Sequence, residues 1–74
     1  RSDSFQVSSK IPLEDCVEIQ NALDDAKIKL SKNGRVLLRY SGTEPKIRLL
    51  VEAKNQHLID EIFPNIMSLL QKAL

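Results

Sequence analysis

Arg39 and Arg48 stand at either end of a short stretch, Tyr40-Ser41-Gly42-Thr43-Glu44-Pro45-Lys46-Ile47, that carries two hydroxyls and a glycine. Guanidinium groups present planar forks of donors that match phosphate oxygens two at a time. Ser41 and Thr43 add hydroxyl donors, and Gly42 admits a backbone in which successive N–H groups converge on an anion. A charge-assisted hydrogen bond contributes about 1.5–3 kcal/mol net. Roughly four or five of them would hold a phosphate with millimolar to micromolar affinity. Glu44 is out of place beside a phosphate and is expected to point away, towards Arg48 or Lys46, while Pro45 stiffens the exit of the turn. The plainer alternative is a polar hairpin loop whose arginines are solvated or paired with Glu44 and Glu52.

For the arginines to meet, the segments around the turn must be antiparallel strands. Val36, Leu38 and Tyr40 alternate with Arg35, Leu37 and Arg39; Ile47, Leu49, Val51 and Ala53 alternate with Arg48, Leu50, Glu52 and Lys54. The spacing predicts strands over 35–40 and 46–54, joined as a hairpin by Ser41–Pro45. A weaker alternation of Phe5, Val7, Ser9 and Ile11 predicts a first strand over 5–11, ended by Pro12. Cys16, Ile19, Leu23, Ala26 and Leu30 recur at helical spacing, which predicts an amphipathic helix from Leu13 to Leu30. Pro12, Glu14 and Asp15 suit its first turn, and Asn33-Gly34, tolerant of positive φ, its stop. A last helix is expected from an Asn55 cap towards Leu74, with Pro64 kinking or breaking it. Strand, helix, hairpin, helix describes a single α+β domain over residues 1–74, an antiparallel sheet with helices packed on one face.

Composition limits what else the chain can do. Eleven basic and ten acidic residues leave a net charge of +1, so any cationic function is local and a duplex-binding surface is not expected. The hairpin's Arg35, Arg39, Lys46 and Arg48 leave a single-stranded nucleic-acid module as an alternative, against which stands the lack of paired aromatics on neighbouring strands. The wide apolar face of the last helix suggests contact with another domain or subunit. One cysteine and one histidine cannot form an internal disulfide or the usual zinc sets, which points to a reducing, cytoplasmic setting. No apolar run is long enough to span a bilayer and no secretory leader is visible. The polar opening Arg1-Ser2-Asp3-Ser4 reads like a cut inside a longer protein. Ser41 lacks a neighbouring base, His57 suits a helix surface, Cys16 a small core position, and Asp24, Asp25, Asp60 and Glu61 solvated helix faces.

The string from Gly34 to Glu52, GRVLLRYSGTEPKIRLLVE, closely resembles the C-terminal signature of the α-D-phosphohexomutases, and the flanking helices fall where that family places them. The resemblance implies the fourth domain of a four-domain enzyme, with a TATA-binding-protein-like fold. It implies that the whole enzyme moves a phosphoryl group between the 1- and 6-positions of a hexose through a phosphoserine and a bisphosphate intermediate. It further implies Mg²⁺ in the whole enzyme, held by ligands outside this chain, with no cofactor bound by this domain. Carried onto this sequence, the grip on the phosphate that is not being transferred falls on Arg39, Ser41, Gly42, Thr43 and Arg48. The expected partners are a phosphosugar and the other domains of the parent chain, with no nucleic acid and no membrane. Alone, the domain should bind anions weakly and catalyse nothing.

Overall fold

A strand at Ser2–Gln6 (β1), a helix at Val17–Leu30 (α1), strands at Gly34–Tyr40 (β2) and Lys46–Ala53 (β3) and a helix at Gln56–Ala73 (α2) follow one another along the chain. The computed structural model describes all of residues 1–74. The three strands form one antiparallel sheet in the order β1-β3-β2, so the strand after the turn is central.

The period-2 pattern decides the two faces of the hairpin. Val36, Leu38 and Tyr40 stand opposite Val51, Leu49 and Ile47, and this face carries the apolar side chains. Both helices pack on it, α2 against β3 and α1 against β2, and they also touch each other. Ile19, Ala26 and Leu30 from α1 and Ile59, Ile62, Phe63, Ile66 and Leu70 from α2 complete a core with Val36, Ile47, Leu49 and Val51. The other face carries Arg35, Leu37, Arg39, Arg48 and Glu52, all exposed. This is the α+β architecture expected, an antiparallel sheet with helices on one face.

Four local expectations are corrected. The first strand lies at Ser2–Gln6, not 5–11, because its length is set by its partner: Val7 makes the last bond, its N–H to Pro45 O at 2.7 Å. Beyond it the hairpin turn curls away, and Ser8–Ile11 have no ladder to join. The first helix starts at Val17, not Leu13. A 3₁₀ turn at Leu13–Asp15 ends in an extended Cys16. The Leu13 carbonyl, which a continuous helix would give to the Val17 N–H, accepts instead from Cys16 N–H at 3.1 Å and Gln20 Nε2 at 3.0 Å.

Positive φ at the end of α1 belongs to Ser31, at 50°, while Gly34 is fully extended at −178°. Glycine is needed at 34 for another reason. A Cβ there would run into the Glu52 carbonyl oxygen and lie 2.8 Å from Ala53 Cα. Finally, α2 runs unbroken through Pro64. Pro64 is exposed, and so is Asp60, whose carbonyl loses its donor, so water can satisfy that group. The Asn55 cap is present, its side chain accepting from the His57 N–H at 2.8 Å.

Candidate functional site

Antiparallel register brings the two arginines together. Arg39 on β2 is the direct partner of Arg48 on β3, and on its other side Arg48 faces Ser4 of β1. Ser41 N–H donates to Lys46 O at 2.8 Å, so alternation along the ladder makes Arg39 and Arg48 a hydrogen-bonded pair, with Cα atoms about 5.5 Å apart. Their side chains leave the same, helix-free face of the sheet.

Beyond them the turn is held at its base. Lys46 N–H donates to Glu44 O at 2.8 Å, and the N–H groups of Gly42, Thr43 and Glu44 donate to no group in the chain. Arg39, Ser41, Gly42, Thr43 and Arg48, the five residues expected to hold a phosphate, all line one open hollow of about 620 Å³. Ser4, Tyr40, Glu44 and Lys46 line it too. Gly42 has no positive φ, and a Cβ would meet nothing within 4 Å, so its contribution here is not a special backbone conformation. A bare Cα leaves the neighbouring N–H groups open to a ligand.

The carboxylates that could have neutralised the arginines pair with other cations, although Glu44 lines the same hollow. Glu44 Oε2 lies 3.1 Å from Lys46 Nζ, one of the two partners expected for it. Glu52 accepts from Arg35 Nε at 2.8 Å and from its Nη2 at 3.3 Å. Hydrogen bonding and charge from Arg35 hold the Glu52 carboxyl below its usual range, and Glu52 in turn raises Arg35. Neither Arg39 nor Arg48 has a carboxylate within salt-bridge distance. Arg39 and Arg48 are therefore exposed and not paired with Glu44 or Glu52.

Tyr40 faces inward and is half-buried. Its hydroxyl donates to Ile11 O at 2.7 Å, tying the connection between β1 and α1 to the base of the turn. Burial pushes this hydroxyl above its usual value of 10.0. A raised value means that the neutral form is favoured by folding, so the contribution is whole below pH 10.0 and is lost as pH rises through the folded value. Tyr40→Phe should cost about 1 kcal/mol at neutral pH. In urea melts, its deficit against wild type should stay constant up to about pH 10 and shrink above it; a deficit unchanged above about pH 10 would show that ionisation of the hydroxyl is not linked to folding, and no deficit at any pH would show that the hydroxyl does not matter.

Other candidate groups lie apart. His57, Asp24 and Asp25 are exposed, Asp60 accepts from Gln56 Nε2 at 3.0 Å, and Glu61 lies 2.9 Å from Lys29. Cys16 is half-buried against the core. No three of His, Cys, Asp and Glu converge as metal ligands would. Sequence reasoning missed Ser4, although Ser2, Ser4 and Gln6 alternate with Phe5 and Val7 on the polar side of the strand. It also missed Lys10, whose Nζ reaches Ser41 O at 2.7 Å, and for which no local signal exists.

Residues 5–69 match the family described as phosphoglucomutase/phosphomannomutase, C-terminal domain. A phosphoglucosamine mutase of Solidesulfovibrio magneticus is 41% identical over 68 residues, which cover 92% of this chain and 15% of that protein. One of Chlamydia caviae is 41% identical over 71 residues, 96% of this chain and 16% of the relative. One of Chlamydia trachomatis is 38% identical over 65 residues, 88% and 14%. The chain thus spans about one-seventh of the length of these relatives.

Proposed function

This chain belongs to the phosphoglucomutase/phosphomannomutase family, as its C-terminal domain, and from that premise we propose that its hairpin turn grips the phosphate of a hexose phosphate. Residues 1–74 act as one phosphate-binding domain of a larger isomerase. Arg39 and Arg48 supply paired guanidinium forks, Ser41 and Thr43 hydroxyls, and Gly42 and Thr43 backbone N–H groups. The observation that carries this reading is the pair of arginines set directly opposite each other with no carboxylate to neutralise them. Like charges in that arrangement destabilise a sheet, and an anion between them reverses the sign of the interaction.

The relatives named above favour phosphoglucosamine mutase as the parent enzyme, interconverting glucosamine 6-phosphate and glucosamine 1-phosphate. A phosphomannomutase or phosphoglucomutase parent would use the same grip, because the turn reads phosphate and not sugar hydroxyls. In either case the domain holds the phosphate that stays in place and so orients the sugar, leaving transfer to groups outside this chain. The residues present here do not fit a magnesium site, and no step of the grip needs one. A nucleic-acid reading fares worse: Phe5 and Phe63 pack on or in the core, and Tyr40, the one aromatic that lines the hollow, is half-buried with its hydroxyl bonded to Ile11 O, so the arginines lack the paired aromatics that stack successive bases. A phosphosugar substrate and a single unpaired cysteine suit a reducing, cytoplasmic setting.

Titration of the ¹⁵N-labelled chain with glucosamine 6-phosphate and with inorganic phosphate tests the grip. Saturable shifts confined to residues 39–48, similar for both ligands and lost in Arg39→Ala, are expected. No saturation by tens of millimolar, or shifts that survive Arg39→Ala, would contradict it.

A further inference from the structure

The segment after β1 is fastened to both ends of the phosphate-gripping turn. Val7 N–H donates to Pro45 O at 2.7 Å at the exit. Tyr40 donates to Ile11 O at 2.7 Å at the entrance, and Lys10 Nζ donates to Ser41 O at 2.7 Å beside it. Residues 7–11 therefore act as a strap across the base of the turn, with Lys10 carried to its place by the Tyr40–Ile11 bond.

The atom that Lys10 holds determines what this strap can do. Ser41 C=O and Gly42 N–H belong to one peptide unit, which is planar and, like every peptide bond in the chain, trans. In a trans peptide the carbonyl and the N–H point in opposite directions. A cation that fixes the carbonyl on one side thereby aims the N–H on the other. Gly42 lines the anion hollow and its N–H has no partner in the chain; Lys10 does not line the hollow. The ammonium also draws electron density onto the Ser41 oxygen, which makes the N–H at the far end of the same unit a stronger donor.

We propose that Lys10 is a positioning residue of the phosphate grip, acting through the Ser41–Gly42 peptide to aim and polarise the Gly42 N–H. This rests on the reading of the turn as a phosphate site, and extends it to a residue outside the hairpin that never touches the ligand. Freed of Lys10, the peptide can rotate, and part of the ligand's binding energy goes into restoring its orientation.

The test compares wild type, Lys10→Met and Lys10→Arg, with inorganic phosphate as the probe. Lys10→Met keeps the aliphatic stem and removes the charge and donor. It should move the Gly42 amide proton upfield in the free protein and weaken phosphate binding about tenfold, as loss of one well-aimed hydrogen bond does. The thermal midpoint should stay within about 4 °C, since Lys10 is exposed. Lys10→Arg should restore both the amide shift and the affinity. An unmoved Gly42 amide with weakened binding would mean direct contact between Lys10 and the anion, and would overturn the positioning role. Unchanged affinity in Lys10→Met, with binding still lost in Arg39→Ala, would sink this inference and leave the grip standing. No saturable binding in wild type would take down both.

Discussion

Arg48→Met is expected to weaken phosphate binding by about thirty- to a hundred-and-fiftyfold while leaving the thermal midpoint unchanged or raising it. Arg48 lies on the central strand, flanked by Ser4 and Arg39, so its backbone is held on both sides. Losing a bidentate, charge-assisted contact removes about 2–3 kcal/mol of binding. Folding feels the opposite effect. Two guanidinium groups face each other across one ladder rung without a carboxylate, and removing one relieves repulsion worth up to about 1 kcal/mol. Methionine keeps an unbranched apolar stem on the exposed face, so little packing is lost. A residue placed there for stability would behave the other way round. Isothermal titration with phosphate, paired with thermal melts in phosphate-free buffer, separates the two. Unchanged affinity, or a lowered midpoint, would remove Arg48 from the site. Excess phosphate should also raise the wild-type midpoint by mass action and leave that of Arg48→Met nearly unmoved.

Gly34→Ala is expected to destabilise the domain by roughly 3 kcal/mol. The added methyl group would meet the Glu52 carbonyl oxygen and Ala53 Cα, and both are backbone atoms of the central strand. Neither can rotate aside as a side chain would, so the end of β2 must move off β3, straining the Lys54 N–H bond to Asn33 O, 2.9 Å long, that closes this end of the sheet. A domain of this size has a total stability of roughly 4–11 kcal/mol, so the loss is a large share. Urea unfolding should show a lower midpoint with an unchanged slope. Phosphate affinity of the fraction that stays folded should hold, because Arg39 and Arg48 pair at the other end of the hairpin. A midpoint within experimental scatter of wild type would mean that the strand shifts at little cost.

What could be read in the residues was what is decided locally. The hairpin was legible because strict alternation on both sides of a Gly- and Pro-containing turn leaves one register that buries Val36, Leu38, Ile47, Leu49 and Val51 together. That register carries the Arg39–Arg48 pair with it, so the heart of the candidate site came along with the fold. The last helix was legible from its Asn55 cap and its wide apolar face. Features decided by distant partners were not legible. The limits of β1 depend on where β3 ends, so alternation alone misplaced them. The start of α1 depends on which groups claim the Leu13 carbonyl. Gly34 was read as a helix stop, when its requirement comes from Glu52 and Ala53 across the sheet. Pro64 was expected to kink or break the last helix, and no break forms, because its exposed place on α2 lets the packed face of the helix continue past it. Ser4 and Lys10 reach the site only through the pairing of β1 with β3, which no local pattern announces.

The strand order has a consequence for assembly. The hairpin joins neighbours in the chain, and such units close in roughly 1–10 μs. Its two arginines thus meet early, like-charged and face to face. The strap arrives from much farther away: Lys10 and Ser41 are 31 positions apart, and contacts of that separation wait on the closure of a larger loop. In a refolding chain the two arginines are therefore expected to meet before the Lys10–Ser41 bond forms. On the proposed reading, anion recognition matures only once β1 docks on β3, and a chain that has formed the hairpin alone does not yet hold the whole site.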